Sequence, residues 1–159
     1  MSLLDVQNLC VSIEGKQVLK NLSININPGE THVLMGPNGA GKSTLGNALM
    51  GNPVYSIQDG KIIFNSKDLT SEKTDVRAKE GMFMSFQNPL EVPGISLETF
   101  IRSSIQQRTG ERVKLFQFQK ELKACMNLLN MDSSYASRDL NVGFSGGERK
   151  KSEILQLLM

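Results

Sequence analysis

Apolar and polar residues alternate along two stretches near the start of the chain, Leu4–Ile13 and Val18–Ile26. Alternation with a period of two is typical of β-strands that bury one face. Gly15 lies in a turn between the two stretches, and Pro28 follows the second. Glycine and proline interrupt regular structure at such positions. The pattern predicts a β-rich first part of the chain.

Three shorter apolar runs are also predicted to be strands: Thr31–Met35, Lys61–Asn65 and Gly81–Phe86. The first leads directly into a glycine-rich loop. The segment Asn88–Gly94 contains two prolines and is predicted to be an exposed connection.

The remaining pattern is helical. Lys42–Met50 is predicted to be a helix that ends at Gly51, and Ser96 is predicted to cap a helix that continues through Ile105. Arg149–Leu158 is predicted to be the last helix. One apolar stripe has the three- and four-residue spacing of a helix face that packs in a core, and consists of Leu115, Phe118, Leu122, Cys125 and Leu129.

Composition excludes several classes of protein. The hydrophobic fraction of 39% and the charged fraction of 21% are ordinary for a globular domain. The net charge of +2 gives no reason to expect nucleic-acid binding. No apolar run is long enough to cross a bilayer, and the first residues lack the features of a signal peptide, so we expect a cytoplasmic protein without membrane insertion. The two cysteines, Cys10 and Cys125, are interpreted as small apolar residues, since they are too few for a four-cysteine metal site.

The loop Gly36–Thr44 fits the phosphate-binding pattern G-x-x-x-x-G-K-[ST] in full. Its glycines allow backbone N–H groups to curl around an anion, and the helix that follows adds the positive end of its dipole. We expect Lys42 to contact the β- and γ-phosphates, Ser43 to bind Mg²⁺ and Thr44 to contact the α-phosphate. The predicted nucleotide-binding residues are Gly36, Pro37, Asn38, Gly39, Ala40, Gly41, Lys42, Ser43 and Thr44.

A second candidate lies at Ser145–Glu148. Ser145 and Glu148 have the spacing of a capping box at the start of a helix. Gly146 and Gly147 weaken a first helical turn by roughly 1 kcal/mol each. Such glycines are expected where backbone approaches another group closely, and a phosphate is the natural group at a helix N-terminus.

Taken together, these motifs resemble the ABC-type ATPases, and among them the SufC group, the cytoplasmic ATPases of the SUF iron–sulfur cluster assembly system. Val92–Ser96 and Val142–Ser145 favour this group over transporter subunits, in which Leu commonly precedes the signature Ser. The sequence runs that carry the resemblance are Met35–Gly39, Phe83–Gln87, Glu91–Ser96, Asn141–Glu148 and Arg149–Gln156.

The resemblance implies an α/β P-loop NTPase fold: an antiparallel β subdomain, a strand–P-loop–helix core, and a helical subdomain with the signature segment, Phe144–Glu148. It implies one incomplete ABC ATPase domain over 1–159, divided into 1–87 (β subdomain and P-loop core), 88–148 (helical subdomain) and 149–159 (signature helix). The resemblance covers the whole chain but only about the first two-thirds of the family's usual length. The family's strand ending in Asp-Glu, which supplies the catalytic carboxylates, is expected to lie outside the chain, and Glu153 stands in the wrong place to replace it.

Further roles follow from the resemblance alone. Gln87 would be the Q-loop glutamine, which helps to hold Mg²⁺ and the attacking water, so the expected catalytic residues are Lys42 and Gln87. The signature residues Ser145, Gly146, Gly147 and Glu148 would contact ATP on a second subunit in a transient ATP-dependent homodimer. SufB- and SufD-like proteins are the implied partners, and the chain alone is expected to be inactive as an ATPase.

Alternatives remain open at this point. One is the nucleotide-binding subunit of an ABC transporter, and another is a truncated nucleotide-binding fragment that does not hydrolyse ATP. Ile13 stands where many ABC domains have an aromatic residue, so the preference for ATP over GTP is in doubt. His32 is interpreted as a strand residue, and Arg149–Lys151 as a solvated basic face.

Overall fold

The computed structural model describes residues 2–159 and divides the chain into two compact units. The first unit ends at Met84, and the second extends from Ser85 to Met159. Each has its own apolar core.

The first unit contains a four-stranded antiparallel sheet with the strand order β2-β1-β3-β4. Its strands are β1 (Leu4–Ile13), β2 (Lys16–Ile26), β3 (Tyr55–Phe64) and β4 (Lys67–Asp68). Leu4 pairs with Ile26 on one side and with Phe64 on the other, so β1 lies between two partners. The alternating pattern therefore located β1 and β2 correctly.

Strand β3 begins six residues before the predicted start at Lys61 because it passes through Gly60. Gly60 has a φ of 95°, and a Cβ at this position would lie 2.5 Å from the carbonyl oxygen of Gln7. The pairing with β1 shifts register at the same place, between Gln7 and Cys10. The glycine permits a β-bulge, and a bulge interrupts the alternation by which a strand is recognised.

The helix after the P-loop, α1 (Lys42–Leu49), packs Leu45 and Ala48 on the sheet. The sheet side of this core consists of Val6, Leu9, Val11, Leu19 and Ile62. A short helix, α2 (Thr74–Lys79), places the buried Arg77 at the C-terminal end of α1. The Arg77 guanidinium donates hydrogen bonds of 2.8 Å to the carbonyl oxygens of Ala48 and Leu49. The P-loop helix is thus fixed to the sheet by its apolar face and held at its last turn by a cation.

The predicted strands Thr31–Met35 and Gly81–Phe86 are not strands in the described structure. Val33 is 75% exposed and Met35 is 88% exposed. An extended apolar segment becomes a strand only when neighbouring strands accept its backbone hydrogen bonds. None of the strands within residues 2–159 pairs with either segment. The apolar composition of both runs was recognised correctly, but the predicted sheet pairing was wrong.

The second unit is mainly helical. It contains β5 (Val92–Ser96), α3 (Leu97–Thr109), α4 (Leu115–Leu128), a 3₁₀ helix (Ser133–Ser137), β6 (Asp139–Leu140) and α5 (Gly146–Leu158). The oxygen of Ser96 accepts a hydrogen bond from the N–H of Thr99, which confirms the predicted cap of α3. None of the helices in the described part of the chain is long and apolar enough to cross a membrane.

Two predictions within this unit need correction. Leu115 is 53% exposed, whereas the rest of the predicted stripe packs on the core. Phe118 and Leu122 are buried together with Met126, and Cys125 and Leu129 are partly buried. At the start of the helix, Leu115 and Phe116 are exposed and Phe118 is the first residue to enter the core. Val92–Gly94, predicted to be part of an exposed connection, belongs to β5 and pairs with β6. Its partner lies more than forty residues away, where local pattern has no influence.

Candidate nucleotide-binding site

The P-loop is exposed over residues 36–40 and begins with a turn in which the N–H of Ala40 donates to the carbonyl of Pro37 at 3.2 Å. Gly39 and Gly41 have φ angles of 85° and 90°, in the left-handed region that glycine adopts readily. A Cβ on Gly41 would lie 2.6 Å from Cδ2 of Leu19 on β2. The left-handed backbone conformation therefore favours glycine at this position, and any side chain here would also displace Leu19.

The Lys42 side chain crosses the loop. Its Nζ donates hydrogen bonds to the carbonyl oxygens of Gly36, at 2.7 Å, and Pro37, at 2.8 Å. These contacts hold a full positive charge above the curled backbone. A phosphate placed in the loop would meet this cation, so the geometry fits the expected role of Lys42.

The N-terminus of α1 adds donors to the same place. Its N-cap is Gly41, which has no side chain to cap the first N–H groups, and the first turn contains no acidic residue. These groups have no partner within the helix, and the dipole makes this end positive. Ser43 is exposed beside them, whereas Thr44 is buried. A polyphosphate fits this arrangement, with Ser43 able to bind its Mg²⁺.

The signature segment has the predicted capping box. The N–H of Ser145 donates to Oε2 of Glu148 at 2.7 Å, and the N–H of Glu148 donates to Oγ of Ser145 at 3.4 Å. The Tyr135 hydroxyl donates to Oε1 of Glu148. The bond from Tyr135 is the largest cause that lowers the pKa of Glu148, and the bonds with Ser145 add to it. The bond to Glu148 raises the pKa of Tyr135. Glu148 is thus held as a carboxylate by groups on both sides.

Aromatic and cationic packing supports the signature segment from behind. Phe144 is buried and meets the Tyr135 ring edge to face, with the centroids 4.9 Å apart. The Arg138 guanidinium lies 4.5 Å from the centre of the Tyr135 ring and 5.0 Å from that of Phe144. Contacts of this kind stabilise a site beyond the apolar area that they bury. Tyr135 and Arg138 were not predicted, because only folding brings the 3₁₀ helix to the signature segment.

Gly146 and Gly147 differ from the P-loop glycines. Both lie in the first turn of α5, and neither has a positive φ. A Cβ added to either would have no atom of the described residues within 4 Å. Neither conformation nor packing within residues 2–159 requires glycine here. The pair is suited to close approach by a group that the chain itself does not supply.

Gln87 is exposed and follows a short anchored segment in the second unit. The carboxylate of Glu153 on α5 accepts hydrogen bonds of 2.8 Å from the Ser85 hydroxyl and from the N–H of Phe86. Lys150 donates to the same carboxylate at 2.7 Å. Sequence reasoning missed this anchor. One signal was available, since a lysine and a glutamate three residues apart lie on the same face of a helix.

The basic residues Arg149–Lys151, interpreted as a solvated face, are at least partly exposed, but their side chains also make specific contacts. Arg149 donates to the carbonyl of Phe144 at 3.0 Å and pairs with Glu91. Lys151 donates to the carbonyl of Asn130 at 2.8 Å. Arg149 and Lys151 therefore connect α5 to other parts of the second unit.

Two other residues discussed from the sequence lie in the first unit. His32 was expected in a strand, but it lies outside any strand and its Nε2 is 3.1 Å from Oε2 of Glu30. Ile13 ends β1, opposite Lys16 and Tyr55. The P-loop belongs to the first unit, and Gln87 and the signature segment belong to the second.

Comparison with known proteins places these motifs in a family. Residues 19–159 match the family model described as ABC transporter. Among curated relatives, Vegetative protein 296 of Bacillus subtilis is 44% identical over 99% of this chain and 61% of its own length. A probable ABC transporter ATP-binding protein of Streptococcus pyogenes is 44% identical over all of this chain and 63% of its own length. The probable ATP-dependent transporter SufC of Escherichia coli is 42% identical over 98% of this chain and 64% of its own length.

A solved structure, described as the ATP-binding subunit of an ABC transporter, shares the fold with a TM-score of 0.80 at 22% identity. The match covers 99% of this chain and 62% of that one. The expected ABC ATPase fold is thereby confirmed. The chain spans less than two-thirds of the length of the curated relatives that it matches.

Proposed function

The chain belongs to the ABC transporter family, and on that basis we propose that it is the ATP-binding part of an ATPase subunit in cytoplasmic iron–sulfur cluster assembly. One observation carries the nucleotide-binding part of the proposal. The chain presents two glycine-containing helix starts, at Gly41–Lys42 and at Gly146–Gly147, and the second glycine pair has no explanation within the described residues. Helix starts of this kind bind phosphate.

In this proposal the loop Gly36–Thr44 binds the phosphates of ATP through backbone N–H groups, with Lys42 on the β- and γ-phosphates. Ser43 and Gln87 hold Mg²⁺, which neutralises charge on the phosphates. Ser145 and the N–H groups of Gly146 and Gly147 contact the γ-phosphate of ATP bound to a second copy, in a homodimer that closes with ATP. Closure and hydrolysis in the whole protein drive rearrangement of SufB- and SufD-like assembly partners.

The choice of the SufC group over a transporter subunit rests on two segments of the sequence, Val92–Ser96 and Val142–Ser145. A SufC relative matches nearly the whole chain at 42% identity, so the comparisons are compatible with this choice. In the structure Val92–Ser96 forms β5, and Val142–Ser145 leads into α5. A transporter subunit is the second candidate, since other relatives of similar identity carry transporter names.

Nucleotide binding is tested by titrating the chain with ATP and Mg²⁺ in a calorimeter. Lys42→Ala should weaken binding about 10- to 150-fold, the equivalent of a charged hydrogen bond of about 1.5–3 kcal/mol. Lys20→Ala is the matched control, because Lys20 is an exposed lysine on β2 of the same unit. Equal affinities for the two variants would overturn the assignment of the P-loop.

The cluster-assembly role is tested by isolating the whole protein from its source cells and identifying its partners by mass spectrometry. SufB- and SufD-like proteins are the expected partners. A membrane permease in their place would assign the protein to a transporter.

A further inference from the structure

The carboxylate of Glu153 is an unusual group within the second unit. Glu153 lies in the middle of α5 and is only 5% exposed, although glutamate is rarely buried. Its carboxylate receives the Ser85 hydroxyl, the Phe86 N–H and the Lys150 ammonium at 2.7–2.8 Å. A buried carboxylate is stable only when it is paired and hydrogen-bonded in this way. The pairing alone does not explain why a charge stands here instead of an apolar residue.

The bonded segment offers an explanation. Ser85 and Phe86 lie outside any strand, so no ladder satisfies or fixes their backbone groups. Glu153 accepts the N–H of Phe86, and Lys150 donates to the Phe86 carbonyl and to the Ser85 hydroxyl at 3.0 Å. Both polar groups of the Phe86 backbone are therefore held by a single turn of α5. We call Lys150 and Glu153 the α5 clamp.

The α5 clamp connects two parts of the candidate site. The residue after Phe86 is Gln87, and the helix that carries the clamp begins at Ser145. At about 1.5 Å of rise per residue, Glu153 lies about 12 Å along the helix from Ser145. A helix transmits a displacement of its N-terminus to that distance as a rigid element. Movement of the signature segment would therefore move the anchor of Gln87.

We propose that Glu153 is a positioning residue, which fixes Ser85–Phe86 to the signature helix and thereby places Gln87 for Mg²⁺-dependent ATP binding. The last step rests on the proposed role of Gln87. The anchoring step rests on the contacts of Glu153 alone. Burial raises the pKa of Glu153, but the bonds from Lys150, Ser85 and Phe86 outweigh it and lower the pKa, in agreement with an ionised anchor.

Anchoring is tested by hydrogen exchange of the Phe86 amide in the 159-residue chain. In Glu153→Ala this amide should exchange at least about tenfold faster, because it loses a charged acceptor. Glu121→Ala is the matched control, since Glu121 is an exposed glutamate on a helix of the same unit. Unchanged exchange of Phe86 in Glu153→Ala would overturn the proposal.

Placement of Gln87 is tested by measuring ATP affinity with Mg²⁺ and with EDTA. Glu153→Ala should reduce the gain in affinity that Mg²⁺ gives, to the same extent as Gln87→Ala, and the double variant should lose no more. The affinity in EDTA should stay unchanged, which a general loss of structure would not allow. A full Mg²⁺-dependent gain in Glu153→Ala, with the gain lost in Gln87→Ala, would refute the positioning role.

Glu153→Gln keeps the test usable if the alanine variant does not fold. Its amide oxygen can still accept the Phe86 N–H. The protection of the Phe86 amide from hydrogen exchange and the Mg²⁺-dependent gain in ATP affinity should therefore both recover in part. No recovery in a folded Glu153→Gln variant would contradict placement through this bond. If Gln87→Ala itself keeps the full gain, the proposed role of Gln87 fails, and the exchange of Phe86 still decides whether Glu153 is an anchor.

Discussion

The P-loop and the signature segment both place glycine at the start of a helix, but for different physical reasons. Gly41 is favoured by the chain itself, chiefly through its φ of 90°, and a side chain there would also displace Leu19. Gly146 and Gly147 are required by nothing in the described residues. Gly41 allows the backbone conformation of the loop, whereas Gly146 and Gly147 leave space beside the start of a helix. A glycine therefore points to an external ligand most clearly when the fold gives no reason for it.

The two helices are also held at opposite ends. Helix α1 has no side-chain cap at its N-terminus and is held at its C-terminus by Arg77. Helix α5 is held at its N-terminus by the capping box of Ser145 and Glu148. The donors of α1 are consequently free for a ligand, whereas α5 uses some of its own and leaves those of the glycine pair. This difference predicts distinct responses to substitution.

The largest expected effect is on the anchored end of α1. Arg77→Met should reduce the free energy of unfolding by about 3 kcal/mol, because it leaves several buried carbonyl groups without donors. Urea denaturation measures the loss. Lys79→Met, an exposed substitution on the same helix, is the control and should change stability little. A loss in Arg77→Met no larger than in this control would show that the C-terminal anchor contributes nothing.

Substitution of the P-loop glycine should have the next largest effect. Gly41→Ala places a Cβ at a left-handed φ and against the buried Leu19, so stability should fall by about 1–3 kcal/mol. Urea denaturation and calorimetric ATP binding should both register the change. Gly39→Ala separates the two causes, since it has a similar φ but no atom of the described residues within 4 Å of the new Cβ. Equal losses in the two variants would assign the whole effect to backbone conformation.

Removal of the signature cap should affect stability and dimer formation together. Ser145→Ala should reduce stability by about 1 kcal/mol, as expected for loss of an N-cap. It should also weaken ATP-dependent dimerisation of the whole protein, measured by sedimentation velocity in an analytical ultracentrifuge. Ser103→Ala, on an exposed position of α3, is the control. Normal dimerisation of a destabilised Ser145→Ala variant would restrict the hydroxyl to capping.

Substitution in the glycine pair should change stability in the opposite direction to substitution of Gly41. Gly146→Ala should keep stability unchanged or raise it by up to about 1 kcal/mol, because alanine favours a helix and has room here. The same change should weaken ATP-dependent dimerisation of the whole protein. Thermal denaturation and sedimentation measure the two effects separately. A destabilised Gly146→Ala variant would remove the contrast with Gly41.

The smallest expected effect is a change in stability at acidic pH, which comes from Glu148. Hydrogen bonds from Tyr135 and Ser145 lower the pKa of Glu148 below its ordinary value of 4.5. Because the folded pKa lies below the unfolded one, the ionised box stabilises the chain above pH 4.5, and this contribution is lost as the pH falls through the folded pKa. The difference in urea midpoint between wild type and Glu148→Gln should therefore shrink on acidification. Helix α1 has no acid in its first turn and should contribute no such dependence.

Much of the site was predictable because its signals are local. The P-loop pattern, the cap of α3 and the capping box each depend on residues within one turn or loop, and their geometry follows from the residues themselves. The spacing of Lys150 and Glu153 could indicate a helical ion pair, but the partners of the α5 clamp were not predictable, because Ser85 and Phe86 lie more than sixty residues earlier in the chain. Tyr135 and Arg138 were missed for the same reason.

The sequence by itself determined the two candidate phosphate-binding motifs, the strands β1 and β2, and the starts of α1, α3 and α5, since hydrophobic period, caps and glycine positions act over short distances. The tertiary structure alone decided that Thr31–Met35 is not a strand, that β3 passes through a bulge at Gly60, and that Glu153 is an anchor. Each of these depends on whether a remote segment supplies a hydrogen-bond partner. Backbone pairing and burial of charge are properties of the assembled fold, so no local pattern contains them.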